Sequence, residues 1–157
     1  MIQRLQSLYL AIAAAAIAIA FFFPIITYLN DAQIWLEIYL KGIKDNSSPQ
    51  LGINGSMLLP LQVMAVLSII LAVTAIFLFK NRKSQMKLVR LGIVLVLVEI
   101  ALIFFYYANM LAKVSSTVPD FNHAGIYLLL VSLVMFVLAN RGIMKDDKLV
   151  RAADRLR

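Results

Sequence analysis

Four apolar runs, each near or above the length of a lipid-spanning helix, constrain this chain more than any other feature. A bilayer core of ~30 Å takes about 20 helical residues at ~1.5 Å each. Leu5–Ile26 has no polar side chain between Leu10 and Phe23. Leu58–Phe79 is interrupted by Pro60, Gln62, Ser68 and Thr74. The third run has its core at Leu91–Leu111 and starts at Leu88. The fourth, Ala124–Ala139, reaches residue 143 or 144 once Arg141 snorkels. Ala18-Ile19-Ala20 resembles a signal-peptide cleavage site. The apolar run continues to Ile26, past the roughly 7–15 residues of an ordinary signal core, so retention as a span is expected.

Composition agrees, since 62% of residues are apolar and the mean hydropathy is +0.89. That leaves too little polar surface for a soluble domain. The net charge of +7 would suit nucleic acid if it were spread over one face. Here the basic residues cluster beside apolar runs, which points to an anionic lipid leaflet and away from nucleic acid. There is no cysteine, which excludes disulfides and thiolate metal sites.

Orientation follows from Lys and Arg in the short connections. Arg4, Lys80, Arg82, Lys83, Lys87, Arg90, Arg141, Lys145, Lys148, Arg151, Arg155 and Arg157 fall on one side, and Lys41, Lys44 and Lys113 on the other. Both termini and the loop 80–87 are therefore expected in the cytoplasm, with outer loops at 27–57 and 112–123 and a tail at 144–157. The expected architecture is one all-α membrane domain, residues 1–157. It is a four-helix transmembrane bundle with a small β-hairpin in the first extracytoplasmic loop and a short amphipathic helix in the cytoplasmic tail.

The hairpin rests on Ile34–Lys41, where Ile34, Leu36, Ile38 and Leu40 alternate with Trp35, Glu37, Tyr39 and Lys41. This is the strand period. Asp45–Pro49 reads as a turn, and Leu51–Ile53 as a short return strand. The loop is either a cap over the bundle or a docking surface with Trp35 and Tyr39 as anchors. His123 beside Asp120 makes at most two ligands, too few for a metal site, and a solvated histidine is expected.

Glu99 is the only ionisable side chain deep inside a run. A carboxyl at that depth must face the bundle interior, another polar group or water. With no Lys or Arg at its level, it is expected as a neutral acid, with Ser68, Thr74 and Ser132 as candidate hydroxyl partners. Tyr106, seven residues on, would share its helical face and extend a polar track with Asn109. Glu99 is then either a hydrogen-bonding peg between helices or a proton or cation site. In span one, Ala11/Ala15 and Ala16/Ala20 have small-xxx-small spacing, which permits close helix approach. In the tail, Leu149, Ala152, Ala153 and Leu156 form an apolar stripe beside the basic Lys148, Arg151 and Arg155. With Arg157 these basic residues would contact anionic lipid or a partner.

The opening Met1–Leu10, the Lys80–Lys83 loop and the closing Asp147–Arg157 resemble a family of small tetraspan membrane proteins from Bacteroidota, a domain of unknown function. The resemblance implies a bacterial inner membrane and transfers no activity. The layout is also similar to claudin-like tetraspans in architecture only, since the loop lacks their cysteine pair. There is no HExxH, GxSxG, cysteine nucleophile or cofactor glycine fingerprint. The chain is therefore expected to be no enzyme and to need no cofactor. Two functions remain open: an accessory or assembly subunit, paired with a membrane partner or with itself, and a small proton-coupled transporter or channel component using Glu99.

Overall fold

A computed structural model describes residues 2–30, 33–46, 55–115 and 117–154. Its long helices are α1 (Ile2–Ala20), α2 (Leu59–Phe77), α3 (Arg82–Ala101) and α5 (Ala124–Asp154). A π-helical stretch, Leu102–Tyr107, joins α3 to α4 (Ala108–Ser115). The helices pack as a ring, with α1 between α5 and α2, and α3 between α2 and α5. Three stretches, Gly55–Phe77, Arg82–Lys113 and Ala124–Val150, are long and apolar enough to cross a membrane, which points to a membrane protein; Leu5–Ala20 of α1 is a shorter apolar helix.

Each helix buries one stripe at 3.6-residue spacing. On α1 it is Leu10, Ala13, Ile17 and Ala20; on α5 it is Ile126, Leu129, Ser132, Phe136, Ala139, Ile143 and Asp146. Of the two small-residue pairs expected on α1, Ala16/Ala20 faces inward, whereas Ala11 and Ala15 are exposed.

The first apolar run does not remain helical to Ile26. The helix ends at Ala20, Phe21–Phe23 turn, and Pro24 opens β1 (Pro24–Asn30). Proline has no N–H to continue the helix, and it biases the residue before it away from helical geometry. The Ile25-Ile26-Thr27 that follows is β-branched and suits a strand.

In place of a hairpin there is a four-stranded antiparallel sheet in the order β3-β2-β1-β4. β2 is Gln33–Tyr39, β3 is Gly42–Asp45 and β4 is Pro119–Asp120. The predicted strand at 34–41 is thus present as β2, but its partners are β1 and β3. The expected return strand Leu51–Ile53 lies outside the described residues. The alternation holds, with Leu36, Ile38 and Leu40 buried and Lys41 exposed. Gly42, at φ 158°, occupies the turn into β3.

β4 comes from the segment between α4 and α5 and pairs with β1 through Thr27↔Asp120 and Tyr28↔Pro119. Tyr28 fixes the sheet to the helices: fully buried, it donates its hydroxyl to Ala108 O at 2.9 Å. Burial pushes its phenol from 10.0 up to about 12. The folded chain therefore keeps this proton at pH values where the unfolded chain has released it. Its contribution is full below pH 10.0 and is lost as pH rises toward about 12. Alkaline unfolding followed by circular dichroism should show this loss, and Tyr28→Phe should flatten it. An unchanged alkaline limb in Tyr28→Phe would rule out the assignment.

At the opposite end, two other expectations are revised. The loop 80–87 shrinks to Asn81, which accepts from Ser84 N as the N-cap of α3, so Arg82–Arg90 are helical. The tail is no separate helix, because α5 runs unbroken to Asp154. No proline interrupts it, and Asp146 holds the extension against the bundle by accepting from Gln6 Nε2.

Candidate functional site

The inward stripe of α3 is Gln85, Val89, Gly92, Val96 and Glu99, continued by Ile103. Spacing alone therefore drives the Glu99 carboxyl into the ring, and it is 0% exposed. The opposite stripe, Leu91, Val94, Leu97 and Val98, is exposed and apolar, as a lipid-facing surface would be. Neither Oε1 nor Oε2 of Glu99 has a hydrogen-bond partner among the described residues, and neither does the buried Ser68 Oγ.

The expected hydroxyl partners are arranged differently. Two hydrogen bonds fix the level of α2 against α3 and its continuation: Gln85 Nε2 to Ala75 O (3.0 Å) and Tyr107 Oη to Met57 O (2.8 Å). Interpolation between them sets Glu99 opposite Val63 and Met64. Ser68 is then about one turn, roughly 7 Å, toward Asn81, and Thr74 is roughly 16 Å away. Thr74 donates to its own helix, at Ile70 O and Leu71 O. Ser132 is buried, but its hydroxyl goes to Leu129 O at 2.7 Å. Among the expected partners, Ser68 alone combines a buried site with an unspent hydroxyl.

Tyr106 does not extend a polar track. It is 55% exposed, and Tyr107 takes the inward position. In a regular α-helix residue i+7 shares the face of residue i. The wider π turn shifts that relation by one residue, so i+8 faces inward instead. Asn109 is exposed and donates to Phe105 O.

Chemically, Glu99 is a sealed acid. An ionised carboxylate without a cation or donor costs several kcal/mol in such surroundings, about the most expensive arrangement a bundle can hold. An uncharged carboxyl costs about 1–3 kcal/mol in unmade hydrogen bonds. Native structures leave few buried polar atoms unpartnered, and those that remain call for an explanation. A π-helical stretch three residues away adds to the interest, because such stretches often mark functional sites.

At the sheet, Glu37 is the hub of a small polar cluster. Tyr39 Oη donates to Glu37 Oε2 at 2.7 Å, and Lys44 Nζ lies 3.6 Å from the same oxygen across the Glu37↔Lys44 register pair. The hydrogen bond to Glu37 holds the Tyr39 phenol above its usual range, helped by burial and by the Glu37 charge. Lys41 Nζ stands 5.3 Å over the Tyr39 ring. Trp35 lies in β2, but its side chain is outside the described residues. His123 is not simply solvated. Its Nε2 is 2.7 Å from Thr27 Oγ1 and 3.7 Å from Asp120 Oδ2, so it latches β4 to β1.

At the basic end Lys148 is exposed on α5, whereas the Arg151 side chain, Arg155 and Arg157 lie outside the described residues. Sequence reasoning missed the link there between three helices. Arg82 Nη1 donates to Asp146 O at 2.9 Å, and Gln6 to the Asp146 carboxylate. The signal was available, because Asp146 continues the buried α5 stripe three residues past Ile143.

Comparison with known proteins adds one match and no function. A family model described as a domain of unknown function (DUF4293) matches residues 2–156. No curated protein and no solved structure matches the chain.

Proposed function

The chain belongs to the DUF4293 family, and from that premise, which brings no activity with it, we propose a non-catalytic integral protein of a bacterial inner membrane that serves as an accessory or assembly subunit. In this reading it is a Bacteroidota-type protein of four spans with both termini cytoplasmic. Its partners are a lipid bilayer with an anionic cytoplasmic leaflet and a membrane protein or a second copy of itself. The apolar stretches support the membrane location, and the basic residues gathered at the Asn81 end support the orientation.

The observation that carries the subunit reading is the sheet. Strands from the α1–α2 and α4–α5 connections join in it, Tyr28 and His123 lock it, and it displays the Glu37–Tyr39–Lys44 cluster in a fixed position. A surface held this firmly suits recognition, since little ordering remains to be done on binding. Affinity purification in mild detergent should recover a stoichiometric partner, and Glu37→Ala with Tyr39→Ala should release it. Recovery of the same partner with the double variant would discard the sheet as the docking surface.

A second reading is favoured by one specific observation, the unpartnered Glu99 beside the π-helical stretch. In it the chain is a small proton-coupled transporter or channel component, with Glu99 taking up and releasing the proton. Reconstituted vesicles should show a proton flux that Glu99→Gln abolishes. Equal flux from both proteins, or none from either, removes this reading.

A further inference from the structure

We infer that the seam between α3 and α5 at the basic end holds the headgroup of one anionic phospholipid, whose acyl chain runs along α3 into an apolar groove. The inference rests on reading these helices as membrane spans and sharpens the general preference for an anionic leaflet into one site.

Lys83, Lys87 and Arg90 lie at i, i+4 and i+7 on α3 and are exposed. Arg141, Lys145 and Lys148 repeat that spacing on α5 and are exposed too. The two stripes meet where Arg90 Nη2 approaches Met144 Sδ at 3.8 Å, and Met144 is next to Lys145 and within a turn of Arg141 and Lys148. Among the described residues Arg90 thus reaches a thioether and no carboxylate. Asp146 is turned inward to Gln6, and the half-buried Asp147 is the one other acid within Lys83–Arg90 and Arg141–Lys148, against six cations. Like charges gathered side by side raise the local potential and attract an anion from outside the chain.

Depth selects a lipid as the source. Arg90 and Arg141 are the first charged residues beyond the apolar stretches Leu91–Val98 and Ala124–Asn140, which is the headgroup level of a membrane protein. Basic pockets between spans on this side of a membrane suit anionic lipid headgroups. The exposed face of Arg90 continues through Val94 to Leu97, where a groove of about 580 Å³ begins between Leu97, Ala101, Phe104, Phe105 and Phe121. Leu97 is roughly 10 Å from Arg90 along the axis, within the ~15 Å depth of one leaflet, so one acyl chain reaches the groove's near end.

The test is native mass spectrometry of the full chain in detergent, titrated with phosphatidylglycerol and with phosphatidylethanolamine of the same chain length. Phosphatidylglycerol should be retained over phosphatidylethanolamine, and Arg90→Gln with Arg141→Gln should lower its retention about 30-fold. Lys113→Gln, at the sheet end, should leave the preference intact. Ala101→Trp, which fills the groove from an exposed position, should weaken long-chain phosphatidylglycerol but spare the dihexanoyl form. Equal retention of the two headgroups in the unaltered chain overturns the proposal. So does equal loss from the sheet-end variant, or displacement by glycerol phosphate as effective as by the long-chain lipid. Vesicle flotation separates the premise from the site. An unaltered chain that fails to float would remove the membrane reading, whereas a floating chain without headgroup preference removes the lipid site alone.

Discussion

Glu99→Met should make the detergent-purified protein more stable, by about 1–3 kcal/mol, the usual cost of a buried polar group without partners. Methionine is unbranched and adaptable and would occupy the same space without lone pairs to satisfy. The expectation follows from two observations: the carboxyl is 0% exposed, and neither of its oxygens has a partner among the described residues. A hydrogen-bonding peg between helices predicts the opposite sign, because its removal breaks a contact. Thermal unfolding of the two proteins side by side decides the matter. A higher midpoint for Glu99→Met means the acid is retained against a stability cost, as a functional group would be. A lower midpoint restores the peg and withdraws the main support of the proton-linked reading.

The second large effect is expected at Gly125, in the first turn of α5. A Cβ there would sit 2.5 Å from Pro24 O and 2.9 Å from Pro24 C, and backbone atoms cannot step aside as a side-chain tip can. Gly125→Ala should therefore destabilise by about 3 kcal/mol, at the upper end of ordinary overpacking. The other helical glycines calibrate this value. A Cβ on Gly92 meets Phe136 Cε1 at 2.7 Å, and that ring is itself fully buried, so Gly92→Ala should cost about 2 kcal/mol. A Cβ on Gly142 meets Gln6 Cγ at 3.0 Å, the widest of the three approaches and to a side chain, not backbone. There the helix-propensity gain of about 0.5–1 kcal/mol should offset most of the crowding. The predicted order of loss, Gly125 over Gly92 over Gly142, is read from three melting curves. A Gly125→Ala protein as stable as Gly142→Ala would mean that β1 and α5 are not in contact as described.

Periodicity made much of this legible in advance. The alternation at 34–41 identified the buried side of β2, because a strand has only two faces and each residue reports on one. The cost of a carboxyl at mid-span depth pointed Glu99 toward the bundle interior, another polar group or water without knowledge of its neighbours. Hydropathy failed at Phe21–Ile26, since a buried strand and a membrane helix are equally apolar, and only Pro24 marked the change. The pairing of Thr27 with Asp120 was invisible, because a two-residue strand carries no period at all. Nor does any residue type announce the π turn that exchanged Tyr106 for Tyr107. The extra residue in that turn is defined by the hydrogen bonds around it and not by its side chain.

The β1–β4 pairing also sets an order of events during synthesis. β1 leaves the ribosome early, but the strand that completes its free edge follows about ninety residues later. At typical elongation rates of roughly 5–20 residues per second, that edge waits roughly 5–20 s with unpaired N–H and C=O groups. During that interval α2, α3 and α4 must be made before the sheet can close. The nascent chain is therefore most open to mispairing, and most in need of a chaperone, well before its last helix is synthesised.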